Sequence, residues 1–376
     1  MERKSLIVGL LVLAASGALI AVASVTFFAQ HEVEPIVKGP GVTRVVKLSE
    51  YYEGLKGTAG DTDVYILEGS SPGASMLVLG GTHPPEPSGL VAATLLVENV
   101  TVRSGRLFVI PHANASGYTW TEPGQGHPIG FTIKTEWGER WFRFGSRGTN
   151  PVHQWPDPEL YIHYPSGQRL SADEVRNLNR NHPGKAGGTL TEKVGFGISS
   201  MIKAENITVS IDQHEAPPEK PLINAAAVHE RAMDLMGWVV LNLEMQDFKL
   251  RLEASPKDLH GLSHREWGDH TDTLAILLET PNASQGAIRG RTDAALVVEG
   301  TDEFYVAAAK LKRTMVPFDE SGWPLVKRVG RQTTAINEIA RTYTELNPGN
   351  PLVLENVPVL NDLMEKGLGH YLLPVP

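Results

Sequence analysis

The chain has 376 residues, 34 basic and 43 acidic side chains for a net charge of −9, and 41% hydrophobic residues. This is enough for one large α/β domain or two small ones, and without a basic stripe no nucleic-acid surface is expected. The absence of cysteine excludes disulfides, thiol nucleophiles and thiolate metal sites, so any metal must be held by His, Asp and Glu, the ligand set common in catalytic zinc sites.

Arg3 and Lys4 precede an uncharged stretch, residues 5–29, which ends at Gln30-His31-Glu32. About 20 apolar residues span a bilayer core, so the stretch is long enough to cross one, and its positive flank keeps the start of the chain cytoplasmic. Ala21-Val22-Ala23 also reads as a small-x-small cleavage site. Residues 1–30 are therefore expected to be a signal peptide or membrane anchor of an exported protein, periplasmic or on the extracytoplasmic face. Contact with the membrane is expected only through this segment. A bacterial exported protein fits the lack of cysteine, so the Asn-x-Ser/Thr triplets at Asn99, Asn114, Asn206 and Asn282 carry little weight. Residues 31–45, with Pro35, Gly39, Pro40 and Gly41, read as a linker.

Beyond it, residues 64–67, 75–79, 107–110, 207–211, 238–243 and 273–278 read as strands. Residues 87–97, 189–204, 224–236 and 303–315 read as helices, the first opened by Pro87. Continuous apolar strands separated by helices imply an α/β fold with a mixed, largely parallel sheet covered by helices on both faces. The main domain is expected over residues 46–315, followed by an extension, residues 316–376, of undefined structure. Residues 118–177 break the rhythm, being rich in Gly, Pro, Trp and charge; such a length is a functional lid or groove wall, or a surface excursion. Gly69-Ser70-Ser71-Pro72-Gly73 spells the serine-hydrolase elbow, but Pro72 and a strand follow where the elbow needs a helix, so it reads as a turn.

The chemistry-bearing residues fall at strand ends. His83 and Glu86 form a His-x-x-Glu pair after the strand ending in Gly80-Gly81. With 13 histidines and 43 acids, about 1.5 such pairs arise by chance, and His31 with Glu34 is read as one of them. Position separates the two, because ligands of open α/β sheets bind beyond the carboxyl ends of the strands. Asn114 follows the strand 107–110, Asp212 and His214 end the strand 207–211, and Glu279 ends the strand 273–278. Two imidazoles and one carboxylate hold a zinc ion with a position left open for water. A separate carboxylate can then move that water's proton, and Glu279 at the end of a buried strand suits the task. Asp212 either orients a ligand histidine or caps backbone amides.

The run from Gly80 to Gly89, Gly-Gly-Thr-His-Pro-Pro-Glu-Pro-Ser-Gly, resembles the metal loop of the succinylglutamate desuccinylase/aspartoacylase family of the zinc carboxypeptidase superfamily. Pro111 to Asn114 is similar to that family's strand-end Pro-x-x-Asn. Asn177-Leu178-Asn179-Arg180-Asn181-His182-Pro183-Gly184 resembles its Asp-x-Asn-Arg-x-Phe-Pro-Gly element. Asp212 to Ala216 resembles the loop bearing the third ligand, and Leu278-Glu279-Thr280 the strand bearing the catalytic glutamate. The resemblance implies one zinc ion per chain held by His83, Glu86 and His214, with Glu279 as acid and base. It assigns Asn179 and Arg180 to a substrate carboxylate, and a further arginine to the scissile carbonyl; Arg169 is taken for that role, with Arg147 and Arg176 as rivals. Two residues depart from the pattern, Asn177 in place of the acid and His182 in place of the Phe. The expected activity is hydrolysis of an amide next to a carboxylate, on a small N-acyl amino acid. The alternatives are a carboxypeptidase acting on exported or cell-wall peptides, and a non-catalytic binding protein of the same fold.

Overall fold

The computed structural model describes residues 2–121 and 127–375. Five of the six strands expected from apolar runs form, and they join one sheet. It contains β1 (Val42–Lys47), β2 (Asp63–Glu68), β3 (Ser71–Leu79) and β4 (Thr101–Ile110). Two short hairpins lie outside it, β5 (Gly130–Thr135) with β6 (Gly138–Arg143), and β7 (Tyr161–Ile162) with β8 (Arg169–Leu170). The sheet continues with β9 (Val209–Ala216), β10 (Ala225–Val228), β11 (Arg251–Ala254), β12 (Leu274–Pro281) and β13 (Val353–Glu355). Its order is β1-β2-β4-β3-β9-β12-β10-β11, with β13 added against β4. The four central strands, β4, β3, β9 and β12, run parallel, while β1, β2, β10 and β13 pair antiparallel with their inner neighbours. The sheet is thus mixed and largely parallel at its centre, as the patterning predicts.

The helices are α1 (Glu2–Ala29), α2 (Pro87–Asn99), α3 (Leu190–Ala204), α4 (Met233–Glu244), α5 (Ser263–His270), α6 (Ala294–Glu299), α7 (Glu303–Lys310), α8 (Leu325–Leu346) and α9 (Leu360–Lys366). One sheet face packs Met76, Val78, Val209, Ile211, Ile276 and Leu278 against α2, α4 and α8. The other packs Leu77, Leu79, Phe108, Ile110 and Ala275 against α3 and Trp267 of α5. Each aliphatic side chain buried this way contributes roughly 1.5–3 kcal/mol. α2 is buried on all sides, because the β5–β6 hairpin covers its outer face with Phe131, Ile133 and Phe142. Part of the 118–177 excursion is therefore core.

Two expectations from the sequence reverse. Residues 238–243 are helix, not strand, and residues 225–228 are strand, not helix. In α4, Leu235, Met236, Val239 and Leu243 are buried while Trp238 and Leu241 are exposed, which is helical spacing that a Trp-Val-Val-Leu run hides. Ala225–Val228 is a fully buried strand made of alanines, with no β-branched signal until Val228. α7 stops at Lys310, short of the expected residue 315. α3 begins as expected, at Thr189, whose side chain and Glu192 close a capping box.

α1 is long and apolar enough to cross a membrane, and none of that span is buried against the rest of the protein. The segment read as a linker is strapped down: the Pro35 carbonyl accepts from Arg140 Nη2 (2.7 Å) and the buried Glu34 pairs with His112 (2.8 Å). Residues 316–376 supply α8, β13 and α9 to the same core.

Candidate metal centre

β9 and β12 run further than the sequence suggests, so Asp212, His214 and Glu279 lie within strands rather than after them. Side chains alternate across a strand. Ile211 points to the α2/α8 face, so Asp212 and His214 point to the α3/α5 face, and Glu279 lies directly opposite His214 in the parallel register. His83 and Glu86 come from the turn between β3 and α2, closed by a Glu86 N–H to His83 carbonyl bond of 3.0 Å. Gly81 makes that turn possible: its φ is +64°, and a Cβ there would meet the Tyr118 hydroxyl at 2.5 Å.

These elements converge. His83 Nδ1 lies 2.9 Å from Glu86 Oε1, His214 Nδ1 lies 3.0 Å from Glu86 Oε2, and the two Nδ1 atoms are 3.1 Å apart. All three residues are buried. A tetrahedral zinc with bonds of about 2.0–2.1 Å holds its ligand atoms about 3.3 Å apart, so a small cation fits this set with a slight expansion. The protonation states agree. Burial, with help from Arg147, lowers His83 to about 4, leaving it neutral. Glu86 is held well below the usual carboxylate range by the two histidines in spite of its burial. Burial opposes a charge on His214, but Asp212 and Glu86 override it and push the ring up to about 10. A proton on His214 thus occupies the place a cation would take.

Asp212 is the partner behind His214, its Oδ2 2.8 Å from Nε2, and Thr82 Oγ1 donates to its other oxygen at 2.7 Å. Glu279 is half-buried; its Oε2 is enclosed and has no hydrogen-bond partner, and burial raises its carboxyl to about 8. A cleft of about 300 Å³ is walled by Pro85, Trp120, Arg147, Glu174, Arg176 and Asn177, and two of these touch the ligand candidates, Arg147 on Glu86 and Asn177 on His83. Trp120 is the one tryptophan of the excursion in that wall; Trp137 and Trp155 are exposed elsewhere.

The arginines separate by position. Arg169 lies exposed in the β7–β8 hairpin and is not brought to the cleft wall, whereas the half-exposed Arg147 places Nη1 2.8 Å from Glu86 Oε1. Arg176 is engaged by Asp157 at 3.0 Å. The sequence offers no signal for this, since Arg147 sits in an aperiodic loop. Arg180 is lowered by its burial, and it senses both Glu174 and Arg147. Asn179 commits its Oδ1 to the Ser263 N–H (2.8 Å) at the start of α5, and Asn114 caps a short turn through Gly117 N–H (3.1 Å). A second cluster, His229, Glu230 and Asp269, has its carboxylates neutralised by Arg265 at 2.9 and 2.8 Å.

A scan against protein-family models matches none, and a search of curated proteins matches none. Solved structures do match. A succinylglutamate desuccinylase from Silicibacter sp. is 17% identical, over 58% of this chain and 53% of that one, with a TM-score of 0.37. A metallo-carboxypeptidase from Burkholderia cenocepacia is 13% identical, over 82% of this chain and 66% of that one, with a TM-score of 0.47. A tripeptide-bound cell shape determinant protein from Helicobacter pylori is 12% identical, over 81% and 60%, with a TM-score of 0.46. The chain therefore spans about half the length of the desuccinylase and just under two thirds of the carboxypeptidase.

Proposed function

We propose that this chain is an exported zinc-dependent hydrolase that cleaves an amide bond next to a carboxylate, in the manner of an N-acyl amino acid deacylase. The observation that carries the reading is the buried set of His83, Glu86 and His214, spaced 2.9–3.1 Å, with Glu279 opposite His214 on the neighbouring strand. When bound there, the ion supplies Lewis acidity to a water and to the scissile carbonyl. With the ion's charge favouring the ionised carboxylate, Glu279 would accept a proton from the attacking water on its partnerless Oε2 and return it to the leaving amine. Arg147, rather than Arg169, is the guanidinium in reach of the carbonyl, and its fixed charge stabilises the developing oxyanion. Arg180 holds the substrate carboxylate, and Asn179 keeps that loop seated on α5 while offering its amide nitrogen. The apolar α1, anchored or cleaved, supports a location outside the cytoplasmic membrane.

A carboxypeptidase acting on peptides is the second reading, favoured by a cleft whose Arg147 side chain is 47% exposed, open enough for chain to extend beyond the reacting carbonyl. The test uses a matched panel of N-acyl amino acids and of peptides with free or amidated C-termini. Glu279→Gln is expected to keep its zinc and lose on the order of 10²–10⁴ in rate on whichever set the enzyme takes. Turnover near wild type with zinc unchanged would remove Glu279 from the chemistry. Zinc binding with no turnover of any member would favour the non-catalytic alternative.

A further inference from the structure

Histidines that hold a cation are usually braced on the far ring nitrogen by an acceptor, most strongly a carboxylate, which fixes the tautomer and raises the basicity of the ligand atom. His214 has such a brace directly in Asp212. His83 does not. Its Nε2 meets a neutral amide, Asn177 Oδ1, at 2.8 Å. An amide can present either its oxygen or its NH₂ group. If the Asn177 amide turned over, His83 would have to carry its proton on Nδ1, the atom that faces Glu86 and His214.

The turn is blocked from behind. The Asn177 amide nitrogen donates to Glu174 Oε2 at 2.6 Å, and an ionised carboxylate only accepts. Asn177 Oδ1 also accepts the Asn179 N–H at 3.1 Å, so a turned amide would lose both of these bonds and keep the one to His83 only by forcing the proton to Nδ1. Asn177 is buried, whereas the Glu174 side chain is 25% exposed on the cleft wall, its other oxygen 3.8 Å from Arg180 Nε.

We propose that Glu174 is a positioning residue of the metal centre: through the Asn177 amide it locks His83 as the Nε2–H tautomer, leaving Nδ1 free to bind the ion. The negative charge that braces His214 directly is, for His83, set one residue further out. This inference rests on the reading of His83, Glu86 and His214 as metal ligands.

The full chain, purified in detergent and stripped of metal, is titrated with Zn²⁺ against a chromophoric chelator, and ring-nitrogen NMR shifts report the His83 tautomer. Glu174→Ala is expected to weaken zinc binding about tenfold and to mix the two tautomers. Glu174→Gln, which keeps an acceptor without the charge, should fall between Glu174→Ala and wild type. The double variant Asn177→Asp/Glu174→Gln moves the charge inward and reverses the bond, the amide at position 174 donating to the carboxylate at 177, and should restore wild-type affinity or better. The metal-free thermal midpoints should agree among all four proteins, which separates positioning from a general loss of structure. Equal zinc affinity in wild type and Glu174→Ala, or a double variant as weak as Glu174→Ala, would overturn the inference. Failure of wild type itself to bind Zn²⁺ would instead overturn the metal reading on which it rests.

Discussion

Removing Arg328 from α8 should destabilise the protein far more than removing it together with its partner. Arg328 and Glu215 have no exposed side-chain surface and approach to 2.5 Å. Arg328 also donates to the Trp323 carbonyl at 3.0 Å, and Glu215 accepts from Asn282 Nδ2 at 3.0 Å and Ser88 N–H at 3.3 Å. In Arg328→Met the carboxylate stays buried without a countercharge, which typically costs about 3–5 kcal/mol. Burial already pushes the Glu215 carboxyl up even with Arg328 beside it, so in the variant it should take up a proton. Arg328→Met/Glu215→Gln leaves no uncompensated charge, and the amide keeps most of the remaining bonds. It should recover at least half of the loss. The assay is chemical unfolding of all four members of the cycle at pH 7.5, with the coupling taken from the single and double variants. Glu215 follows His214 in β9 and points to the opposite face, and Gln332 of α8 donates to the His214 carbonyl at 3.0 Å. Arg328→Met should therefore also weaken zinc binding. A loss under about 1 kcal/mol for Arg328→Met, or a double variant as unstable as the single, would refute the reasoning.

The remaining predictions test other parts of the molecule. His182 is buried and lowered to about 4, chiefly by burial, from an ordinary value of 6.5. Its neutral form therefore stabilises the fold fully above pH 6.5, and this contribution fades as pH falls towards 4, by roughly 3 kcal/mol in all. His182→Phe should be less stable than wild type at pH 8, where it strands the Trp267 Nε1–H that donates to His182 at 3.2 Å. That deficit should narrow or reverse by pH 4.5 in urea unfolding; parallel pH curves would refute the assignment. Arg147→Ala should lower turnover by about 10²–10³ while Arg169→Ala stays within about twofold, and the opposite ranking in steady-state kinetics would restore Arg169 to the site. Protease added to spheroplasts should digest the domain if α1 remains an anchor, or the domain should appear in the soluble periplasmic fraction if α1 is cleaved. Intact protein in the cytosol would contradict export.

The parts legible from the sequence are those governed by short-range physics. A strand of four to six apolar residues, a helix opened by Pro87, and a helix starting at Thr189 each declare themselves within a few residues. His83 and Glu86 share one turn, and β9 and β12 carry His214 and Glu279 to the same edge, so the candidate ligand set and its neighbouring carboxylate are legible in the sequence. Local patterning failed where a helix mimics an apolar strand, as at Trp238–Leu243 inside α4, and where alanines form a buried strand next to the sheet edge, as in β10.

Only the tertiary structure decides the rest. Whether Arg147 or Arg169 reaches Glu86 depends on how an aperiodic excursion folds over α2, and no periodicity encodes that. The chain of Glu174, Asn177 and His83 joins residues whose separations, 3 and 94, belong to different elements. The Arg328–Glu215 pair closes over 113 residues and draws the expected C-terminal extension into the support of the site. Neighbouring residues of β9 show the physical reason most directly. His214 and Glu215 are adjacent in sequence, yet the pleat sends one to the candidate metal centre and the other to a buried ion pair with α8.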